Sequence, residues 1–316
     1  MNVLITSAGR RGSLVQIVRR TLDARRAGGH VFAVDARPEW SAACRLADRA
    51  WEAPRVSAEY VPFLLDLCLE HRIEVVIPTI DPELPVLAAA ADDFGAVGAR
   101  VAVSSVDVCR TFSRKRSTHE FLSRHGLPTP ALIEDFADAP FPLFAKLDDS
   151  SSSIGARRVD DAYEAERLRS RNADYVFQPM LAGDEFTVDA FVDSNGRLRD
   201  LVPRQRLEIR GGEVSKAVTV RDPRILDEVA RLFAVMHGAY GVLNVQLFRG
   251  REGGLSFVEV NPRFGGGFPL SFHAGANMVD YLLRDARGEP LEIARWRENT
   301  LMLRYDAEVI AHHHRL

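Results

Sequence analysis

GVLNVQLFRGREGGLSFVEVNPRFGGG, residues Gly241–Gly267, is the stretch whose reading decides the fold. It holds two short runs of alternating or apolar residues, Val242–Phe248 and Leu255–Val260, joined by a Gly-bearing turn, which is the pattern of a β-hairpin. Gln246 lies inside the first run. Glu259 and Asn261 stand two apart near the end of the second, so the period-2 alternation of a strand projects both from one face. A carboxylate and two side-chain amides bring oxygen donors to one small volume, and such donors suit Mg²⁺, which shares its shell with water and nucleotide phosphates. Arg263, two residues on, adds a guanidinium fork where charge on a transferring phosphoryl group would develop. Taken singly, Gln246 or Asn261 reads as the solvated tip of an edge hairpin. Four such groups in this order point to a site.

The motif GxxNVQ with its partner FVEVNPRFGGG resembles the metal-binding end of the ATP-grasp superfamily, and within it the synthetase modules of the carbamoyl-phosphate synthase large subunit. The resemblance implies a chain of α/β and α+β class. An N-terminal open parallel α/β (pre-ATP-grasp) domain would occupy 1–105, followed by a two-lobed ATP-grasp fold with its small lobe over 106–175 and its large lobe, carrying the metal and substrate site, over 176–316. It also implies ATP and Mg²⁺ as cofactors, with Mn²⁺ as a substitute. Gln246, Glu259 and Asn261 become the metal ligands, Gln246 also faces the nucleotide, and Arg263 is catalytic.

Composition sets bounds on the rest. With 316 residues, 46% hydrophobic and 27% charged, the chain can bury two or three packed units. A net charge near −3 gives no general attraction to nucleic acid or to an anionic membrane, so neither is an expected partner, and phosphate recognition has to be local. Cys44, Cys68 and Cys109 are odd in number and widely spaced, fitting neither a CxxC pair nor a disulfide framework. The chain starts directly in a strand-like MNVLITS and has no long apolar run, which leads to the expectation of a cytoplasmic protein. His312–His314 read as tail residues.

Val3–Thr6, Leu14–Arg26 and Val31–Asp35 read as one βαβ unit. The alternation continues with a helix Tyr60–Glu70, a strand Glu74–Pro78, a helix Glu83–Asp93 and a strand Arg100–Val103, giving an open parallel sheet. TSAGRRGS offers backbone N–H groups and a helix N-terminus to an anion, with Asp35 ending the next strand. Gly9 and Gly12 do not make GxGxxG, and the sheet stops after about four strands, which argues against a dinucleotide enzyme. In PTIDPEL the residues Thr79, Asp81 and Glu83 lie where such a sheet opens onto its ligand crevice and are candidate contacts for a substrate amine or a metal. A plain helix cap, with Asp81 capping and Pro82 at the first helical position, explains them almost equally well.

Residues 107–125 read as one basic amphipathic helix ending at Gly126, followed by LPTP. By its resemblance to the start of the superfamily's nucleotide-binding region, Lys115 becomes the first phosphate-facing base. Lys146 ends a strand-like run and leads into a Ser-rich loop over 150–155, where small residues and backbone donors suit a phosphate lid, although Ser and Gly favour a plain surface loop as well. That reading puts Lys146, Ser152, Ser153, Ile154 and Gly155 against the nucleotide, with Leu147, Asp148 and Asp149 departing from the usual Lys-Pro and Gly-rich order. By the same resemblance Gln178, Pro179, Met180 and Leu181 line the adenine pocket and Glu185 binds ribose. An ordinary half-buried strand is the alternative.

Gly211-Gly212 signals a tight hairpin. Arg204, Arg206 and Arg210 alternate on its first arm, with Lys216 on the second. Like charges on one face repel unless an anion sits there, and Arg holds a carboxylate or phosphoryl group bidentately, so these four are candidate substrate residues. Arg206, with Lys146 and Arg263, is also a candidate catalytic residue. The last elements expected are a helix over His273–Arg284 and a strand over Asn299–Ala307.

Chemistry alone describes phosphoryl transfer to an oxygen acceptor. The resemblance implies more: ATP-dependent carboxylate–amine ligation through an acyl-phosphate, with small-molecule carboxylate and amine as partners and a homodimer compatible with the chain. The alternatives are a small-acid kinase whose product is the acyl-phosphate, and a non-catalytic nucleotide-binding regulatory module.

Overall fold

The computed structural model describes residues 1–26, 28–149 and 155–311. A five-stranded parallel sheet begins the chain: β1 (Asn2–Ile5), β2 (Val31–Asp35), β3 (Arg49–Glu52), β4 (Ile73–Ile77) and β5 (Arg100–Val101), in spatial order β3-β2-β1-β4-β5. Its centre is apolar on both faces because helices cover both. In β1, Val3 and Ile5 point to the side of the helix Gly12–Ala24, while Leu4 joins Leu64, Leu67 and Cys68 of the helix Tyr60–His71 on the other. Near-continuous apolar runs are what a doubly covered parallel strand requires.

A small antiparallel sheet follows, β6 (Leu143–Leu147), β7 (Arg157–Val159) and β8 (Tyr175–Pro179), in order β7-β6-β8. The largest sheet holds β9 (Asp184–Val192), β10 (Leu198–Arg210), β11 (Glu213–Thr219), β12 (Gly241–Arg249), β13 (Leu255–Asn261) and β14 (Leu301–Leu303), in order β13-β12-β9-β10-β11-β14. On its back packs the helix Pro223–Val235. Asp222 caps it by accepting from the backbone N–H of Arg224 at 2.9 Å, Pro223 opens it, and Ile225, Val229, Leu232 and Phe233 fill the core at helical spacing. Each such apolar side chain contributes about 1.5–3 kcal/mol of burial.

The deciding stretch folds as its pattern requires. β12 pairs with β13 around a turn in which Gly253 has φ +84°, and Gln246 stands opposite Glu259 and Asn244 opposite Asn261. The Gly211-Gly212 turn has both residues at positive φ, 54° and 79°, a conformation that only glycine takes without strain.

Several local expectations shift. The basic helix expected over 107–125 is two helices, Val106–Phe112 and Lys115–Arg124, broken where Arg114 is extended. The second starts on a distant cap: Asp148 accepts from Arg116 N at 2.8 Å through its carboxylate and from Lys115 N at 3.0 Å through its carbonyl. Both helices pack on the core of the large sheet, with Phe112 and Leu122 against Phe257 and Val260. β8 belongs to the small sheet, one strand beyond the expected break at 175. The segment 268–286 is two helices, Phe268–Ala274 and Met278–Ala286, because Gly275 ends the first in the left-handed region and Asn277 caps the second. Glu83–Asp93 likewise divides into Leu84–Ala89 and Ala91–Ala96.

Candidate active site

The small and large sheets face one another across a cavity of about 370 Å³, within the roughly 300–1,000 Å³ usual for small-molecule sites. β12 and β13 supply Gln246, Glu259 and Asn261 to one wall, and β6 and β8 supply Lys146 and Gln178 to the other. Lys115, at the first turn of its helix, lines the same space. So do Pro179, Met180 and Leu181, where the chain passes from β8 toward β9.

Lys146 is the electrostatic centre of this end. Burial pushes its pKa down and Lys115 acts in the same direction, while the carboxylates of Glu259 and Glu185 pull it back up. Its ammonium lies over the Phe144 ring, 5.5 Å from the centroid. Glu185 is itself raised by burial, against the opposing pull of Arg206, with which it forms a short ion pair. The residue expected at the ribose therefore already holds an arginine.

The oxygen donors fit a hard divalent cation in part. Gln246 and Glu259 are cross-strand neighbours, and among the described residues neither side chain makes a hydrogen bond that would occupy its oxygens. Asn261 Oδ1 accepts from Arg263 Nη2 at 3.2 Å and keeps a second lone pair. No group of three His, Cys, Asp or Glu side chains suited to a metal occurs among the described residues. With Glu259 as the single carboxylate of the set, phosphate oxygens would have to complete the shell, which is how Mg²⁺ is usually held beside a nucleotide.

At the far end, Arg263 is gripped from outside its own sheet. Asp81, at the exit of β4, accepts from Nε at 2.8 Å and from Nη2 at 2.6 Å. This bidentate fork fixes the guanidinium plane. Arg11, from the loop after β1, enters the same end and donates to Thr79 O at 3.4 Å. Its pKa falls to about 10, through burial first and the neighbouring Arg263 second. Gly265, Gly266 and Gly267 form the floor. A Cβ at Gly265 would lie 2.6 Å from Asn244 Nδ2, and one at Gly267 would collide with the Arg204 guanidinium.

Under that floor lies a buried polar cluster. Asp189, fully buried, accepts from Arg204 Nη2 at 2.8 Å, Asn244 Nδ2 at 2.7 Å and Ser271 Oγ at 2.6 Å. The basic face thus has protein counter-charges that the sequence reading did not supply: Asp189 for Arg204 and Glu185 for Arg206, both from β9. Arg204 still has Nε and Nη1 without partners, and Arg206 its Nε.

Not every candidate residue reaches the cavity. The pairing of β10 with β11 shifts register at Glu208, and beyond it Ile209 lines the cavity; Arg210 is exposed beside Glu208, and Lys216 bonds Glu208 at 2.5 Å. Glu83 is fully buried and both its oxygens are used, by Thr79 N at 2.7 Å and Tyr60 Oη at 2.5 Å among others, so it braces the loop that presents Asp81. Gln178 lines the cavity while its Nε2 donates to Pro130 O at 3.2 Å. Gly155 has φ +72° and packs by Leu147, away from the lining; Ser152, Ser153 and Ile154 lie outside the described residues. Asp148, one of the residues that depart from the usual Lys-Pro order, is spent on the helix cap.

Arg11, Asn244, Thr187 and Glu213 line the cavity without having been named as candidates. The period-2 rule could have given Asn244 from Gln246 and Thr187 from Glu185; Arg11 and Glu213 depend on packing between distant segments. The buried thiols take no part: burial pushes Cys68 and Cys109 up to about 12.

An open parallel sheet followed by a small and a large antiparallel sheet around one cavity is the ATP-grasp fold, and the chain belongs to the ATP-grasp superfamily. Residues 3–102 match the family described as the PylC-like N-terminal domain, and residues 171–308 the family described as ATP-grasp in the biosynthetic pathway with Ter operon. A phosphoribosylamine–glycine ligase of Xylella fastidiosa is 26% identical over 236 residues, 63% of this chain and 55% of that protein. The chain spans about half the length of the curated relatives it matches. Among solved structures, the biotin carboxylase domain of Hydrogenobacter thermophilus 2-oxoglutarate carboxylase, in complex with MgADP, ADP and bicarbonate, superposes with TM-score 0.72 at 18% identity, over 95% of this chain and 73% of that one. An L-amino acid ligase from Bacillus licheniformis gives 0.70 at 19%, over 90% and 74%. At such identities these likenesses establish the fold. No helix among the described residues is long and apolar enough to cross a membrane.

Proposed function

We propose that the chain is an ATP-dependent carboxylate–amine ligase working through an acyl-phosphate and releasing ADP and phosphate. The observation that supports this best is a single cavity joining a half-buried lysine, an acid–amide oxygen cluster and a fixed arginine: Lys146, then Glu259 with Gln246 and Asn261, then Arg263. The relatives are named as ligases, and the biotin carboxylase domain was solved with MgADP, which supports ATP and Mg²⁺ here.

In this reading Lys146 and Lys115 neutralise the phosphates, Gln178 to Leu181 take the adenine edge, and Glu185 with Arg206 lies toward the ribose and the transferring group. Mg²⁺, or Mn²⁺ in its place, would be held by Gln246, Glu259 and Asn261 and would supply charge neutralisation on the phosphates. Arg263, fixed by Asp81, stabilises the charge that develops during transfer, and Arg204 faces the substrate. A carboxylate oxygen attacks the γ-phosphorus as the bond to ADP breaks; the amine then attacks the acyl carbon, phosphate leaves, and the amine proton passes to solvent. Positioning and charge neutralisation supply the catalysis, with no nucleophilic side chain. Residues 1–105 serve as the pre-ATP-grasp unit, with the small lobe running on through β8 and the large lobe beyond it, and the enzyme works in the cytosol. ADP release over a panel of amino acids, singly and in pairs, with mass spectrometry of products, tests the proposal. Release that needs two substrates supports ligation, release with one makes the chain an acid kinase, and none across the panel refutes both.

A further inference from the structure

The far end of the cavity holds one more positive charge than the protein neutralises. Arg263 is matched by Asp81, Arg304 by Glu213 at 2.5 Å, Arg206 by Glu185 and Arg204 by Asp189. Among the described residues Arg11 has no ion-pair partner, and its one side-chain hydrogen bond goes to a carbonyl. A half-buried guanidinium without a counter-charge is costly unless a ligand brings one. Beside it, Arg204 is only 1% exposed and leaves Nε and Nη1 unbonded. The two arginines flank consecutive glycines: a Cβ on Gly266 would come within 3.3 Å of Arg11 Nη1, and one on Gly267 would meet Arg204 Nη1. The FGGG run that closes the deciding stretch therefore lets Arg204 pack directly on Gly267, while above Gly266 the Arg11 guanidinium lines the cavity. Glu213 Oε2 lies 3.5 Å from the same point above Gly266, a carboxylate placed where an ammonium or amine could stand next to a bound acid group.

We propose that Arg11, standing over Gly266, binds a carboxylate of the substrate that is not the one phosphorylated, so that this end of the cavity selects an α-amino acid. The single unmatched charge calls for a monoanion, which a carboxylate is and a phosphate monoester at neutral pH largely is not. The subsite adjoins the phosphoryl end at Arg263 without merging with it: the charged neighbours of Arg11 are Arg263, Glu213, Asp81 and Arg304, whereas those of Lys146 are Glu259, Lys115 and Glu185. This inference rests on the ligase reading only for the fate of the bound amino acid, and binding can be read without turnover.

Saturation-transfer NMR on the full chain, with glycine, methylamine, acetate and inorganic phosphate as probes at fixed ionic strength, tests it. Glycine should show transfer, and the signal should weaken at least tenfold in Arg11→Gln, recover in part in Arg11→Lys, and weaken in Gly266→Ala, whose added methyl enters the space without removing a charge. Thermal melting within a few degrees of wild type shows that the variants are folded. Phosphate displacing glycine more effectively than acetate does, methylamine binding as well as glycine, or an undiminished glycine signal in folded Arg11→Gln would each overturn the proposal. Glycine binding that depends on Arg11 in a chain that never releases ADP would uphold the subsite while refuting the ligase reading.

Discussion

Replacing Asp189 by Ala should cost the protein more than any other single truncation of a polar side chain around the cavity. Asp189 is fully buried and, among the described residues, is the only hydrogen-bond partner of the Arg204 side chain, which is itself 1% exposed. Removing the acid leaves a buried, uncompensated cation, worth about 3–5 kcal/mol. Asn244 Nδ2 and Ser271 Oγ lose their acceptor as well, each an orphaned donor of about 1–3 kcal/mol when buried. These losses share one space and do not add fully, so about 4 kcal/mol is expected. With a urea slope of about 3 kcal/mol/M for a chain of this size, the midpoint should fall by more than 1 M. Urea unfolding followed by circular dichroism reads this directly. Adding Arg204→Met to Asp189→Ala removes the stranded charge and should restore at least half of the lost stability. A loss below about 1 kcal/mol in Asp189→Ala, or no recovery in the double variant, would refute the view that Asp189 is there to neutralise Arg204.

Three further outcomes are expected. Glu259→Gln should abolish ADP release while leaving the thermal midpoint nearly unchanged, since its carboxylate has no protein hydrogen bond to lose among the described residues; near-wild-type release would remove Glu259 from the candidate metal set. Arg263→Lys and Asp81→Asn should each lower kcat by about 10²–10³, because either change opens the bidentate fork, and an effect on KM alone would show the fork to be merely structural. Asp200, pushed up to about 6 by burial with Oδ2 unbonded, is held above its unfolded value, so its contribution is fully present at low pH and is lost as pH rises through about 6. Asp200→Asn should therefore stabilise the protein by about 1–3 kcal/mol at pH 8 and hardly at all at pH 4; urea midpoints at the two pH values check it, and equal gains at both would count against the ionisation.

What could be read from the sequence was whatever local periodicity carries. Gln246, Glu259 and Asn261 were legible because a hairpin is contiguous and its register follows from its turn, and Lys146 because it ends a strand. Four strands of the parallel sheet were legible from alternating strand and helix patterns, whereas the edge strand β3, entered through a helix of five residues, was not. Three further kinds of feature were not. The break before Lys115 depends on Asp148 arriving from another segment. The facing of Arg210 depends on a register shift that leaves no mark in composition. The counter-charges on Arg204 and Arg206 come from β9, a neighbour set by sheet order, so a row of arginines that looked in need of an external anion was largely matched from within.

The fork between Asp81 and Arg263 also bears on how such a chain can be rebuilt. The arginine lies two residues beyond β13, at the end of the hairpin that carries the candidate metal ligands, and the acid that sets its plane is carried by the N-terminal sheet, 182 residues away in sequence. The two parts are therefore not interchangeable modules. A chimera that replaces the first 105 residues with another open α/β unit keeps every residue that the two later sheets bring to the cavity, but it loses Arg11 and the orientation of Arg263, unless the graft brings a carboxylate to the exit of its fourth strand. A partner change there would have to be inherited together with the hairpin, and a recombination point placed between them would separate a side chain from the group that aims it.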